Sequence, residues 1–362
     1  MSSAPVGDDC LKLTTFFGER QRAGDLFLAD ALAGLYGEHE VAGSIVLRGA
    51  EGFGLKHHLR TDDSLTLSED LPLMSIAVDR RARLESLVPK VADLGPGLVT
   101  LERARLLTGD PGPAAVDEGS AEATKLTVYL GRQERAGSGP AFIAICQALH
   151  RHGVAGATAF LGVDGTWHGR RQRATFFSRN AEVPMMVVSV GDGLSIGRAL
   201  PEVLALLSRP LVTLERAQVC KRDGRRLSSP QCLPGSDEHG LALWQKLTIY
   251  TSESTQYQGV PVHRAITRRL RAAGASGATS VRGVWGFHGD HPPRGDRLFQ
   301  LGRRVPVVTV VIDTPQRVAG AFAIVDELTG QAGLVTSETI PAMRAASRER
   351  HHGGLHLAHW HP

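Results

Sequence analysis

Val41-Ala-Gly-Ser-Ile-Val-Leu-Arg-Gly49 returns as Val154-Ala-Gly-Ala-Thr-Ala-Phe-Leu-Gly162 and again as Ala275-Ser-Gly-Ala-Thr-Ser-Val-Arg-Gly283. Each copy stands at one fixed distance, without gaps, behind a lysine that heads an apolar run: Lys12-Leu-Thr-Thr-Phe, Lys125-Leu-Thr-Val-Tyr or Lys246-Leu-Thr-Ile-Tyr. Self-similarity at a fixed period marks a repeat architecture. The 362 residues therefore divide into repeats at 11–107, 124–220 and 244–343. Linkers at 108–123 and 221–243 join them, and a His-rich tail, 344–362, is expected to be disordered.

Within each repeat the signals follow one order. An alternating strand comes first, with Leu247 and Ile249 on one side and Lys246, Thr248 and Tyr250 on the other in the third copy. A helix follows, with Val262, Ala265, Ile266, Leu270 and Ala273 at helical spacing, Pro261 at its start and Gly274 at its end. The quoted stretch is the second strand. A third strand (Val305-Pro-Val-Val-Thr-Val-Val-Ile312 in the third copy), a second amphipathic helix and a closing Leu-Val-Thr strand complete the unit. The order βαββαβ is the ferredoxin-like plan. The third strand is apolar on both faces: Val305, Val307 and Val311 point one way, Val308, Val310 and Ile312 the other. Two helices cover only one face of a four-stranded sheet, so the other face must be buried by the other repeats. The expected fold class is α+β, three ferredoxin-like domains closing into a single-chain pseudo-trimer.

Composition is that of a soluble globular protein, 42% apolar and 22% charged. A net charge of +4, spread over loops and the C-terminal end, is not the clustered basic face that nucleic acid demands, and no nucleic-acid partner is expected. No apolar run approaches the ~20 residues that cross a bilayer. The N-terminal residues lack the pattern of a secretory signal. Cys10, Cys146, Cys220 and Cys232 have no CxxC spacing and read as reduced thiols of a cytoplasmic protein.

Lys246-Leu-Thr-Ile-Tyr, Tyr257-Gln-Gly-Val-Pro261, Gly277-Ala-Thr, Arg282-Gly-x-x-Gly-Phe287 and Ser68-Glu-Asp-Leu-Pro72 resemble the PII-like family called domain of unknown function 190. The resemblance covers all three repeats. It implies ferredoxin-like subunits in a trimer, here fused into one chain, with a long loop between strands two and three. Proteins of the PII type bind adenine nucleotides between subunits and use that loop to engage a transporter or enzyme. The resemblance therefore implies a regulator with an adenine nucleotide as effector and a small ion (fluoride) exporter as a membrane partner. The lysine-bearing phosphate loop of true PII proteins is missing, and Asp79-Arg-Arg-Ala and Asp313-Thr-Pro-Gln stand in its place.

The candidate ligand site is Arg48-Gly-Ala-Glu-Gly-Phe-Gly54 with Arg282-Gly-Val-Trp-Gly-Phe-His288. Glycines at a strand end can present N–H groups to an anion, with an arginine to pair it. The expected ligand residues are Arg48, Gly49, Gly52, Gly54, Arg282, Gly283 and Gly286. The plainer alternative is that these glycines only launch a loop. The second copy, Leu161-Gly-Val-Asp-Gly-Thr-Trp, lacks the arginine, so the three sites are unequal. Opposite charges at Ser68-Glu-Asp and Gly302-Arg-Arg suit a contact between repeats, or plain surface variation.

Histidines in the loops (His57, His58, His168, His288, His291) and in the tail (His351, His352, His356, His359, His361) offer no second set of fixed ligands, and no physiological metal site is expected. Gly193-Leu-Ser-Ile-Gly197 matches a nucleophile elbow, with Asp237 and His239 following in hydrolase order. However, Ser195 aligns with Arg83 and Arg317 at the start of a helix, so a Ser195 esterase is a remote alternative and the expected protein is no enzyme. A ligand-free structural adaptor is the main alternative to a ligand-sensing regulator.

Overall fold

The computed structural model describes residues 8–54, 57–62, 70–107, 123–173, 183–289, 292–295, 305–330, 332–346 and 351–360. The described residues are mostly strands, with six helices, in three repeats of one plan. Repeat 1 runs β1 (Asp8–Gly18), α1 (Leu28–Glu38), β2 (Gly43–Phe53), β3 (Pro72–Arg80), α2 (Arg81–Asp93), β4 (Leu98–Leu107). Repeat 2 runs β5 (Ala123–Gly131), α3 (Ala141–Arg151), β6 (Gly156–Leu161), β7 (Asp164–Trp167), β8 (Arg170–Arg173), β9 (Pro184–Asp192), α4 (Gly193–Ala205), β10 (Leu211–Arg222). Repeat 3 runs β11 (Trp244–Ser252), α5 (Val262–Ala272), β12 (Ala278–Arg282), β13 (Trp285–His288), β14 (Pro306–Asp313), α6 (Pro315–Thr329), β15 (Leu334–Ile340). Two strands follow, β16 (Ala342–Ala346) and β17 (His351–Gly354).

Every sheet is antiparallel with the fourth strand at one edge and the second at the other: β2-β3-β1-β4, β6-β9-β5-β10 and β12-β14-β11-β15. Side chains alternate across each strand, so the two faces bury different partners. Leu11 and Leu13 pack under Leu32, Leu84 and Leu87 on the helix side of repeat 1, and Val311 packs with Ile266 and Phe322 in repeat 3. The opposite faces form one shared core, in which Met74 and Ile76 from repeat 1 meet Met186 and Val190 from repeat 2 and Val308 from repeat 3. The doubly apolar third strand is explained by these two cores.

Strand pairing also passes between repeats at both sheet edges. The end of β4 pairs with β10, the end of β10 pairs with β15, and β16 pairs back onto β4. The continuations of the second strands cross as well. The far half of β2 adds to β12, β7 adds to β2, and β13 adds to β6. Each repeat thus pairs with both others.

The tail differs from its expected disorder. Residues His351–Gly354 pair with β16, Ala358 is buried, and its carbonyl accepts from Arg103 Nη2 at 2.9 Å. The second linker is likewise ordered, because Asp237 acts as a hub. Its carboxylate accepts the backbone N–H groups of His239, Leu241 and His359. A cluster of histidines suggested a solvated tail, whereas Leu355 and Leu357, packed against the repeat 1 core, hold it down. The first linker lies outside the described residues apart from Ala123. No helix among the described residues is long and apolar enough to cross a membrane.

Candidate functional site

Six charged side chains meet where the three sheets face one another. Register sets the lysine of each first strand opposite the glutamate of each fourth: Lys12 and Glu102, Lys125 and Glu215, Lys246 and Glu338. Each Oε2 is then shared with a neighbour. Lys12 Nζ lies 3.0 Å from Glu102 and also bonds Glu215. Lys125 lies 2.9 Å from Glu215 and bonds Glu338, and Lys246 lies 2.8 Å from Glu338 and bonds Glu102. The result is a closed ring of alternating charge, with one lysine and one glutamate from every repeat.

All six residues are buried, so burial alone would neutralise them. Opposite charge on both sides reverses that at Glu102, Glu338, Lys125 and Lys246, whereas burial prevails at Lys12 and lowers its ammonium. Burial raises the Glu102 carboxyl, but Lys12, Lys246 and Lys125 more than offset it and take it from 4.5 down to about 2. Glu338 is held low in the same way by Lys125 and Lys246. Lys125 and Lys246 are pushed up by their glutamates despite burial. Among the described residues, Glu102, Glu215 and Glu338 form the one acidic group close enough to share a cation. A lysine ammonium bridges each neighbouring pair, so the ring is neutral without a metal. Its signal was present in the sequence, since both charges recur in all three copies within otherwise apolar strands. A buried charge needs a partner.

The glycine-rich stretches occupy the seams between repeats. Gly49 and Gly52 lie in β2 where it pairs with β12. A Cβ on Gly52 would come within 2.7 Å of the Ala278 carbonyl oxygen. At the matching positions of the other copies, a Cβ on Gly165 or Gly286 would overlap the carbonyl oxygen of Ser44 or Ala157. A Cβ on Gly283 would sit 3.0 Å from Ala159 O, while Gly54 is in open space. The recurring glycine is required by the close approach of a neighbour's backbone. Arg48 pairs with Glu19 at 2.9 Å. Arg282 pairs with Glu253 at 2.8 Å and, across the seam, with Asp62. Repeat 2 has Leu161 and Arg132 where the others have this arginine and glutamate.

Asp79 and Asp313, at the ends of β3 and β14, accept the N–H groups of Ala42 and Ser276 at 2.9 Å and fix the start of the second strand. Ser195 sits in the first turn of α4, and its Oγ donates to the N-cap Asp192 at 2.7 Å. Burial pushes the thiols of Cys10, Cys146 and Cys220 up to about 12, which leaves them unreactive. Ser68, Glu69, His291, His361 and the Gly302-Arg-Arg group lie outside the described residues.

One seam opens into a groove. α3 packs on α4 and α5 on α6, whereas α1 and α2 hardly touch. Ion pairs Arg151–Glu202 and Arg269–Glu327 tie the helices of repeats 2 and 3. Lys90 of α2 instead meets His39, at 2.9 Å, beyond the end of α1. The gap has a volume of about 550 Å³ and is lined by Leu26, Ala31, Gly34, Leu35 and Leu94 together with Asp30, Glu38 and Lys90. Arg171 and Arg173 of repeat 2 close one side, held by Asp30 at 3.2 and 3.0 Å. Nothing in the sequence signalled it, because an opening between helices is decided by residues far apart in the chain.

A model of the DUF190 family, described as Uncharacterized ACR, matches residues 10–106, 123–219 and 244–342. A UPF0166 protein of Aquifex aeolicus (strain VF5) is 32% identical over 95 residues, covering 26% of this chain and 88% of that protein. Among solved structures, an aspartate kinase from Synechocystis aligns with 95% of this chain at 12% identity and a TM-score of 0.22, and this chain spans 45% of that one. An unknown protein from Galdieria sulphuraria aligns with 60% of this chain and 97% of its own at 12% identity and a TM-score of 0.18. Neither structural likeness bears on fold or function. With its unit matched three times in succession across most of the sequence, the chain belongs to the DUF190 family.

Proposed function

We propose that this protein is a non-catalytic regulator of the PII-like kind, a single-chain pseudo-trimer of ferredoxin-like repeats. It takes a small anionic ligand at a seam between repeats and contacts a target protein through the segments that follow the second strands. The observation that carries this reading is the groove between α1, α2 and the β7–β8 hairpin. Its volume of about 550 Å³ is that of a small-molecule site. Leu35 and Leu94 offer apolar surface for a flat ligand body. Its rim is mixed, with Lys90 and the half-exposed Arg173 beside Asp30 and Glu38. The family resemblance makes an adenine nucleotide the first ligand to try, and a small ion exporter the first target.

Titration calorimetry with ATP, ADP and cyclic AMP tests the ligand. Binding of one of them, weakened at least tenfold by Gly34→Leu, is the expected result. Gly34 suits that control because a Cβ there meets only Arg171, at 3.9 Å. A ligand-free adaptor is the second reading, favoured because Arg48 and Arg282 are already paired with carboxylates. It predicts no heat with any of the three nucleotides.

A further inference from the structure

Three positions separate the groove of repeat 1 from the closed helix pairs of repeats 2 and 3. The seventh residue of the first helix is Gly34 in α1, against Gln147 in α3 and Arg268 in α5. Its last residue is Glu38, against Arg151 and Ala272. The tenth residue of the second helix is Lys90 in α2, against Glu202 in α4 and Ile324 in α6.

In repeat 2 the last two positions form the ion pair Arg151–Glu202, and in repeat 3 both are apolar. Repeat 1 carries the same pair with its signs exchanged, yet the pair does not close. Glu38 and Lys90 are both exposed and both line the groove. Lys90 gives one of its three N–H groups to His39 Nε2, at 2.9 Å. Among the described residues neither Glu38 nor Lys90 has an ion pair. Asp30, the other carboxylate of the groove, is already taken by Arg171 and Arg173. The groove thus offers one carboxylate and one ammonium, each unmatched, at positions that meet in repeat 2. It also offers Leu35, Leu94 and Leu26, the last 58% exposed. Aliphatic surface left open beside a few polar groups is what a bound small molecule covers.

We propose, on the reading that the groove is the ligand site, that its ligand is a free α-amino acid with an aliphatic side chain. The carboxylate of the ligand takes Lys90, its ammonium takes Glu38, and its side chain lies on Leu35 and Leu94. A ligand with an anionic group alone would satisfy Lys90 and leave Glu38 beside that anion. A ligand with a cationic group alone would do the reverse. Both charges on one carbon match both residues.

Titration calorimetry of L-leucine into the unaltered full chain is the test. N-acetyl-L-leucine and L-leucinamide serve as probes, since the first lacks the ammonium and the second the carboxylate. Leucine should bind, and each derivative should bind about tenfold more weakly or worse, the effect of losing one charge-assisted hydrogen bond. Glu38→Gln should remove the discrimination against N-acetyl-leucine, and Lys90→Gln that against leucinamide. Both side chains are exposed, so neither change should disturb the fold. Gly34→Leu, which fills the groove, should weaken leucine as well. Equal binding of all three compounds, or leucine binding that Gly34→Leu leaves unchanged, overturns the proposal. If a nucleotide binds in the groove and leucine does not, the proposal falls while the groove stands as the ligand site. If neither gives heat, both fall.

Discussion

Lys246 is the residue at which burial and pairing can be weighed against each other. Lys246→Met keeps the length of the side chain but strands Glu102 and Glu338 with too little positive charge. Breaking a buried pair from one side costs about 3–5 kcal/mol, and urea unfolding should show a loss of that size. The same ring sets the response to pH. The Glu102 carboxyl falls from 4.5 to about 2 on folding, and Glu338 moves in the same direction. Their contribution is therefore fully present above pH 4.5 and is lost as the pH falls towards 2. Lys125 and Lys246 are raised above 10.5, so their share is present below pH 10.5 and is lost only above it. Lys12, lowered by burial, works against them on the alkaline side, so the acid limb is the clean test: thermal melts should hold steady down to about pH 5 and fall towards pH 2, and a steep loss already near pH 7 would exclude an ionised ring. Alternation in the sequence correctly set Lys246, Thr248 and Tyr250 on one side of the strand. It could not show that this polar side faces inward, because the partners lie in other repeats.

Among the elements, the second strands were legible as strands but not as crossings. Their glycines suggested a loop or an anion nest, since nothing local in the sequence reveals a neighbour's carbonyl. Close approach makes a clear prediction. Gly286→Ala drives a methyl group into Ala157 O and should cost about 2 kcal/mol or more, whereas Gly54→Ala, in open space, should be nearly neutral. Gly34 tests the opposite case. It lies inside α1 with no left-handed φ and no crowding, so Gly34→Ala should stabilise by about 0.5–1 kcal/mol. A residue that weakens its helix fits a groove that has to stay open. The tail carries a third test. Removing residues 347–362 deletes β17, uncovers part of β16 and breaks the links from Arg103 and Asp237. Tm should fall by several degrees, and a truncated chain as stable as the full one would restore the reading of an inert tail.

At the scale of the whole molecule, the repeats were visible because fixed spacing survives divergence, and the doubly apolar third strand required them to meet. The cyclic strand exchange went beyond that reasoning, since it depends on chain ends that leave their own sheets. Each repeat presents one sheet face to its helices and the other to the shared core, and a repeat on its own would expose that second face to water. Repeat 2 nevertheless contains every part of the ring that a closed trimer needs. Lys125 faces Glu215 within the repeat, and across the seams Lys125 reaches Glu338 while Glu215 receives Lys12. In three identical copies, Lys125 of one would meet Glu215 of the next. Residues 123–222 made as a separate chain should therefore assemble as a homotrimer, while the full chain stays monomeric. Light scattering on both chains checks this. A folded, monomeric repeat 2 would show that its inner face does not need neighbours, and a homotrimer of the full chain would show that the three fused repeats do not close on one another.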